Sequence, residues 1–190
     1  MNLVLIGYRG TGKSTVGLLL AERLGMRYVS MDSEITKMAK MSIPEIVAKY
    51  GWNKFRDMET ELTKELALQD GLVIDTGGGV IERQENVKVL QVNTQIFWLH
   101  ASVHTITSRI QGDSSRPALT SGKTFVEEVA DVLAKREPVY KAVAHHEIDA
   151  NNASPSQVAD SIIKIWAQRQ HRDEPLACPA EESNMSVLTK

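Results

Sequence analysis

Gly7-Tyr8-Arg9-Gly10-Thr11-Gly12-Lys13-Ser14, directly after the apolar run Leu3-Val4-Leu5-Ile6, decides the fold of this chain. The octapeptide fits G-x-x-x-x-G-K-[ST]. The run before it reads as a short buried strand, and residues 13–24 read as a helix with Val16, Leu19, Leu20 and Leu24 on one side. The motif therefore stands in the strand-loop-helix context it requires. In such a loop the backbone N–H groups converge on phosphate oxygens, and the positive end of the following helix favours the same anion. Gly10, Thr11, Gly12 and Thr15 then belong to a phosphate cradle. Lys13 reaches the terminal phosphates, and the Ser14 hydroxyl ligates Mg²⁺.

Composition narrows the setting of this loop. The chain has 190 residues, enough for one domain with a sizeable core, and its 42% hydrophobic content is ordinary for a globular protein. No apolar run approaches the roughly 20 residues that span a bilayer. The first strand begins at once, which leaves no room for a signal peptide, and Cys178 is the single cysteine. Together these predict a reduced, cytoplasmic setting without disulfides. The formal net charge of −2 gives no general reason to expect nucleic acid as a partner.

Outward from the motif, residues 26–30 read as a second strand, which puts Asp32 at a strand's C-terminal end, where open α/β sheets bind ligands. A short helix is predicted over 33–40, and Ser42-Ile43-Pro44-Glu45 matches a capping box for another. A third should run over 52–68, with Phe55, Leu62 and Leu66 in the core and Arg56, Glu59 and Lys64 polar. Leu72-Val73-Ile74-Asp75 is a buried strand entering Thr76-Gly77-Gly78-Gly79. Three consecutive glycines are costly in backbone entropy, so close approach of a ligand or of another backbone explains them better than a flexible turn does. Residues 96–99 form a fourth strand and 103–110 a helix. The polar stretch 111–123, with Arg116-Pro117, reads as a long mobile loop. A helix over 125–136 is stopped by Pro138. Residues 146–149 form a fifth strand, and Ser154-Pro155 opens a last helix to about Trp166. Beyond that the apolar period ends, which gives a domain over 1–167 and a disordered tail over 168–190. His145 and His146 face opposite ways on a strand and have no suitably spaced partner, so they read as ordinary histidines rather than metal ligands.

Strands alternating with helices in this order give a doubly wound α/β sheet with its ligands at the strand ends. That fold identifies a nucleoside triphosphate site but not the second substrate. Asp32 reads two ways, as a carboxylate that orients or deprotonates a hydroxyl or as a helix N-cap. Arg56 and Arg136 carry guanidinium forks suited to a carboxylate, although a lone helical arginine is more often a surface one. Arg116 could reach a transferring phosphate when its loop closes.

The ordered set of the phosphate loop, Asp32 with Glu34-Ile35, Met41-Ser42-Ile43-Pro44-Glu45-Ile46, Phe55-Arg56-Asp57-Met58-Glu59, Gly77-Gly78-Gly79, Arg116-Pro117 and Arg136-Glu137-Pro138-Val139-Tyr140 resembles the shikimate kinase family over about residues 2–167. The resemblance implies transfer of the ATP γ-phosphate to the 3-hydroxyl of shikimate, with Mg²⁺, in aromatic amino-acid biosynthesis. It also implies a parallel sheet in the order 2-3-1-4-5 with helices on both faces, a mobile lid and a monomer. By position, Asp32 binds the substrate hydroxyls and becomes the base, Arg56 and Arg136 grip the substrate carboxylate, and Gly78 and Gly79 line its ring. Arg116 becomes the lid arginine on ATP, and Arg109 lies against adenine. One departure stands out. The family commonly has Asp-x-Asp after the second strand, and here the sequence is Ser30-Met31-Asp32. Strand three ends in Asp75, so the acid that steadies Mg²⁺ through its waters is expected to have moved there, unless Asp75 only caps the glycine turn. Competing readings are a kinase for another polyol acid such as gluconate, and a nucleotide-dependent switch that phosphorylates nothing. The switch reading leaves Asp32, Arg56 and Arg136 unexplained.

Overall fold

The computed structural model describes residues 1–110 and 124–173. The expected lid, with Arg116, and the tail from 174 onward lie outside the described residues. Five strands, β1 (Asn2–Ile6), β2 (Arg27–Ser30), β3 (Leu72–Asp75), β4 (Thr94–His100) and β5 (His146–Asp149), form one sheet in the order β2-β3-β1-β4-β5. All four pairings are parallel, as the sequence implies.

β1 is the central strand and is buried along its whole length. Its alternating side chains divide the core. Val4 and Ile6 pack on one face with Ile74, Phe55, Leu62 and Tyr140. Leu3 and Leu5 pack on the other with Val73 and Phe97, under helix α1 (Lys13–Leu24) and helix α7 (Pro155–Asp173). Burial on both faces explains why the strands read as continuous apolar runs rather than alternating ones.

The remaining helices are α2 (Met31–Ala39), α3 (Ile43–Leu66), α4 (Gln84–Leu90), α5 (Val103–Ile110) and α6 (Phe125–Val143). In α3 the Ser42–Glu45 capping box forms in both directions, and Gly51 breaks the helical backbone at φ 79°, ψ 168°. The segment is thus two helices joined at a kink, and it ends at Leu66 rather than Leu68. α7 also runs past Trp166, to Asp173, so the helix continues beyond the expected domain boundary at 167.

Two expectations fail for physical reasons. Pro138 does not stop α6, which continues to Val143. Beyond the proline, Tyr140 is fully buried and Val143 nearly so, and Tyr140 stacks on Trp98. Burying two such side chains is worth about 1.5–3 kcal/mol each, which matches or exceeds the roughly 3 kcal/mol penalty of an interior proline. Asp32 is not on a strand end. β2 stops at Ser30, whose Oγ caps α2 by accepting a hydrogen bond from the Ser33 amide at 3.3 Å, and Asp32 lies in the first helical turn. Ser30 therefore takes the capping role that Asp32 could have filled.

Candidate active site

At the C-terminal ends of the strands a cleft of about 420 Å³ opens between the phosphate loop and the glycine turn. Its floor is the loop between β1 and α1. The loop passes through left-handed backbone at Gly10 (φ 79°) and Gly12 (φ 96°), and Gly12 offers α1 no capping side chain. The first amides of α1 are thereby left to an anion. Lys13 is nearly buried, and its Nζ donates to the carbonyls of Gly7 at 2.8 Å and Tyr8 at 3.0 Å. Ser14 and Thr15 line the same floor, whereas the Thr11 hydroxyl turns inward to donate to the Tyr8 carbonyl at 2.8 Å and braces the loop.

Asp75 closes this half of the cleft. In the sheet it lies beside Leu5 of β1 and beside Ser30 of β2. Its Oδ2 accepts the Ser14 hydroxyl at 2.6 Å and the Tyr28 hydroxyl at 2.9 Å. Burial, reinforced by the Asp75 carboxylate, pushes the Tyr28 phenol well above its ordinary pKa, so it remains a donor. Tyr28 was not foreseen, but the sequence held a signal. A glycine inside a helix costs about 1 kcal/mol, and a Cβ on Gly17 of α1 would come within 2.7 Å of the Tyr28 ring.

The opposite wall holds the acceptor candidates Asp32, Arg56, Gly78, Gly79 and Arg136, with Trp52 beside them. Both arginines are buried. Arg56 Nη1 pairs with Glu59 at 2.5 Å, and its Nε lies 2.9 Å from Glu82. Arg136 donates to the same Glu82 carboxylate from Nε at 2.9 Å and Nη2 at 2.5 Å. Glu59 is fully buried, not an exposed polar residue of α3. Its place three residues after Arg56 put both on one helix face, which is the signal that could have found it. Glu82, in a 3-10 turn over Val80–Glu82, had no local signal.

The glycine turn is explained by close approach of side chains rather than by flexibility. A Cβ on Gly79 would stand 2.0 Å from Arg56 Nη2, and one on Gly77 would stand 2.4 Å from Glu59 Oε1. The Gly78 carbonyl accepts the hydroxyl of Tyr140, which burial holds in its neutral form. At the far end, Arg109 donates to the carbonyls of Gly10 at 3.3 Å and Ala150 at 2.8 Å, tying α5 to the phosphate loop and to the turn after β5. The histidines are occupied within the sheet. His145 Nδ1 accepts from the Ile96 amide at 3.0 Å, and His146 stacks on Phe97.

Comparison with known proteins agrees with this arrangement. A family model described as shikimate kinase matches residues 9–167. A shikimate kinase of Thermodesulfovibrio yellowstonii is 42% identical over 165 residues, which is 87% of this chain and 94% of the relative. The solved structure of shikimate kinase from Acinetobacter baumannii in complex with shikimate superposes with a TM-score of 0.85 at 33% identity, covering 89% of this chain and 94% of that one. A gluconokinase from Sinorhizobium meliloti superposes at a TM-score of 0.54 with 13% identity, a likeness of fold alone.

Proposed function

The chain belongs to the shikimate kinase family, and from that premise we propose how its residues divide the transfer of the ATP γ-phosphate to the 3-hydroxyl of shikimate. The observation that carries this reading is the convergence, in one cleft, of a phosphate loop and two buried arginines. The first suits a triphosphate and the second a carboxylate.

The amides of Gly10 to Thr15 and the Lys13 ammonium hold the β- and γ-phosphates, and Arg109 borders the adenine. Arg56 and Arg136 hold the shikimate carboxylate, with Gly78 and Gly79 against the ring. That grip brings the 3-hydroxyl towards the γ-phosphorus. Asp32 accepts the hydroxyl proton as the new O–P bond forms and the bond to the β,γ-bridging oxygen breaks, releasing ADP. Arg116 supplies positive charge from the lid.

The donor set fits Mg²⁺ rather than a softer metal, because it offers hydroxyl and carboxylate oxygens. Ser14 would be its protein ligand, and Asp75 would hold the Ser14 hydroxyl and the metal's waters. Bound there, Mg²⁺ neutralises charge on the phosphate oxygens. The Asp75 contacts to Ser14 and Tyr28, and its register beside Ser30, favour a relocated acid over a cap on the glycine turn.

The same reading makes the protein a cytoplasmic monomer that binds neither nucleic acid nor membrane. No helix among the described residues is long and apolar enough to cross a membrane. Phosphorus NMR of a reaction with ATP, Mg²⁺ and shikimate tests the reading. A single phosphomonoester on the 3-hydroxyl is expected, and an unmodified acceptor beside intact ATP would refute it.

A further inference from the structure

Among the described residues, Glu82 is the one charged group that touches both acceptor arginines, yet it does not line the cleft. Its carboxylate takes the Nε of Arg56 and the Nε and Nη2 of Arg136. The remaining ends of the two forks point the other way. Arg56 Nη2 is the atom nearest the Cβ position of Gly79, and Arg136 Nη1 lies 3.6 Å from that of Gly78, both cleft-lining glycines. Two guanidinium groups aimed at one spot repel each other unless an anion lies between them. Glu82 supplies that anion from the rim, where its side chain is 42% exposed.

We propose that Glu82 is the positioning residue of the acceptor site. It pins the two arginines by their Nε edges, turns Arg56 Nη2 and Arg136 Nη1 towards the glycine turn, and sets the charge of the cradle. With Glu59 on Arg56, two cations face two anions, so these four groups together carry no net charge before the acceptor arrives. A carboxylate is then selected by the direction of the remaining N–H groups rather than by excess positive charge. The chemical class this favours is a monoanionic carboxylic acid, because a dianion such as a phosphorylated acid would meet no net positive charge to offset its desolvation. The inference rests on the proposed role of Arg56 and Arg136 in holding the acceptor.

The test is shikimate binding by isothermal titration to the wild type, Glu82→Ala and Glu82→Gln, at about 50 mM and about 500 mM salt. Glu82→Ala should weaken shikimate binding about tenfold or more while leaving the Michaelis constant for ATP unchanged. Its residual binding should become salt-dependent, since the cradle then carries a net positive charge, whereas wild-type binding should change less than about twofold. Glu82→Gln, which keeps the shape and one acceptor oxygen, should lose less and guards against an alanine variant that does not fold. Shikimate affinity equal to or tighter than wild type in both variants would overturn the proposal, tighter binding showing that Glu82 competes with the acceptor. Wild-type protein that fails to bind shikimate would instead overturn the functional reading beneath it.

Discussion

The two halves of the cleft are built by opposite means. The phosphate half is mostly backbone, with consecutive residues 7–15 running from the end of a buried strand into the first turn of a helix, and with Asp75 accepting the Ser14 hydroxyl. The acceptor half is mostly buried charge. Arg56, Glu59, Glu82 and Arg136 come from three separate elements and are held by one another. Backbone amides bind any polyphosphate in the same way, whereas directed side-chain forks choose an acceptor. Recognition of the nucleotide should therefore tolerate change in the arginine wall, and recognition of shikimate should not.

Arg136→Ala is the strongest way to break this division. Removing one charge-assisted fork, and leaving Glu82 with fewer partners, should raise the Michaelis constant for shikimate about a hundredfold. The constant for ATP should stay within about twofold of wild type. Steady-state kinetics with each substrate varied in turn would show it. An unchanged shikimate constant would remove Arg136 from the site.

Arg116→Ala sharpens the comparison from the lid side. It should lower turnover about tenfold or more, with less effect on either Michaelis constant, if its charge acts on the transferring phosphate as proposed. Equal loss in substrate binding and turnover would instead make Arg116 a binding residue.

Asp75→Asn probes the acid that accepts the Ser14 hydroxyl in the phosphate half. Turnover should fall about fivefold and the Mg²⁺ concentration for half-maximal rate should rise, with shikimate affinity spared. Adding Ser30→Asp, which stands beside Asp75 in the sheet, should restore part of the loss. Binding of Mg²⁺-nucleotide by titration calorimetry gives a readout independent of turnover. A Mg²⁺ dependence that did not move would return Asp75 to a structural role.

The smallest effect is expected from deleting residues 174–190. Their composition offers no periodic apolar face, so the melting temperature should shift by less than about 2 °C. A larger loss would show that this segment packs on the domain.

How much of this was legible follows from the same contrast. The phosphate half could be read from one stretch because its parts are adjacent in sequence and each is constrained by backbone geometry. The sheet order, by contrast, came from family resemblance, since strand pairing leaves no local mark. Arg56 and Arg136 were each indistinguishable from surface arginines until taken together with the glycine turn. Glu59 was read only as a polar residue of the helix, because amphipathic spacing does not distinguish a buried ion pair from an exposed one. Glu82 lay beyond reach, as its partners are distant in the chain and meet it only once α3 and α6 pack on the glycine turn. Pro138 misled because local propensity ignores the burial of Tyr140 beyond it. Ser30 taught the reverse lesson. It was read only as the place of a missing acid, and the structure shows that it caps α2 and lies beside Asp75 in the sheet.

Choice of the acceptor through a carboxylate held by Arg56 and Arg136 makes the charge of that carboxylate decisive. The most direct measurement compares ADP release with shikimate and with its methyl ester, which keeps every hydroxyl but removes the charge. The value of kcat/KM for the ester should fall about a hundredfold or more while the Michaelis constant for ATP stays the same. Phosphorylation of the ester as efficiently as of the free acid would contradict it.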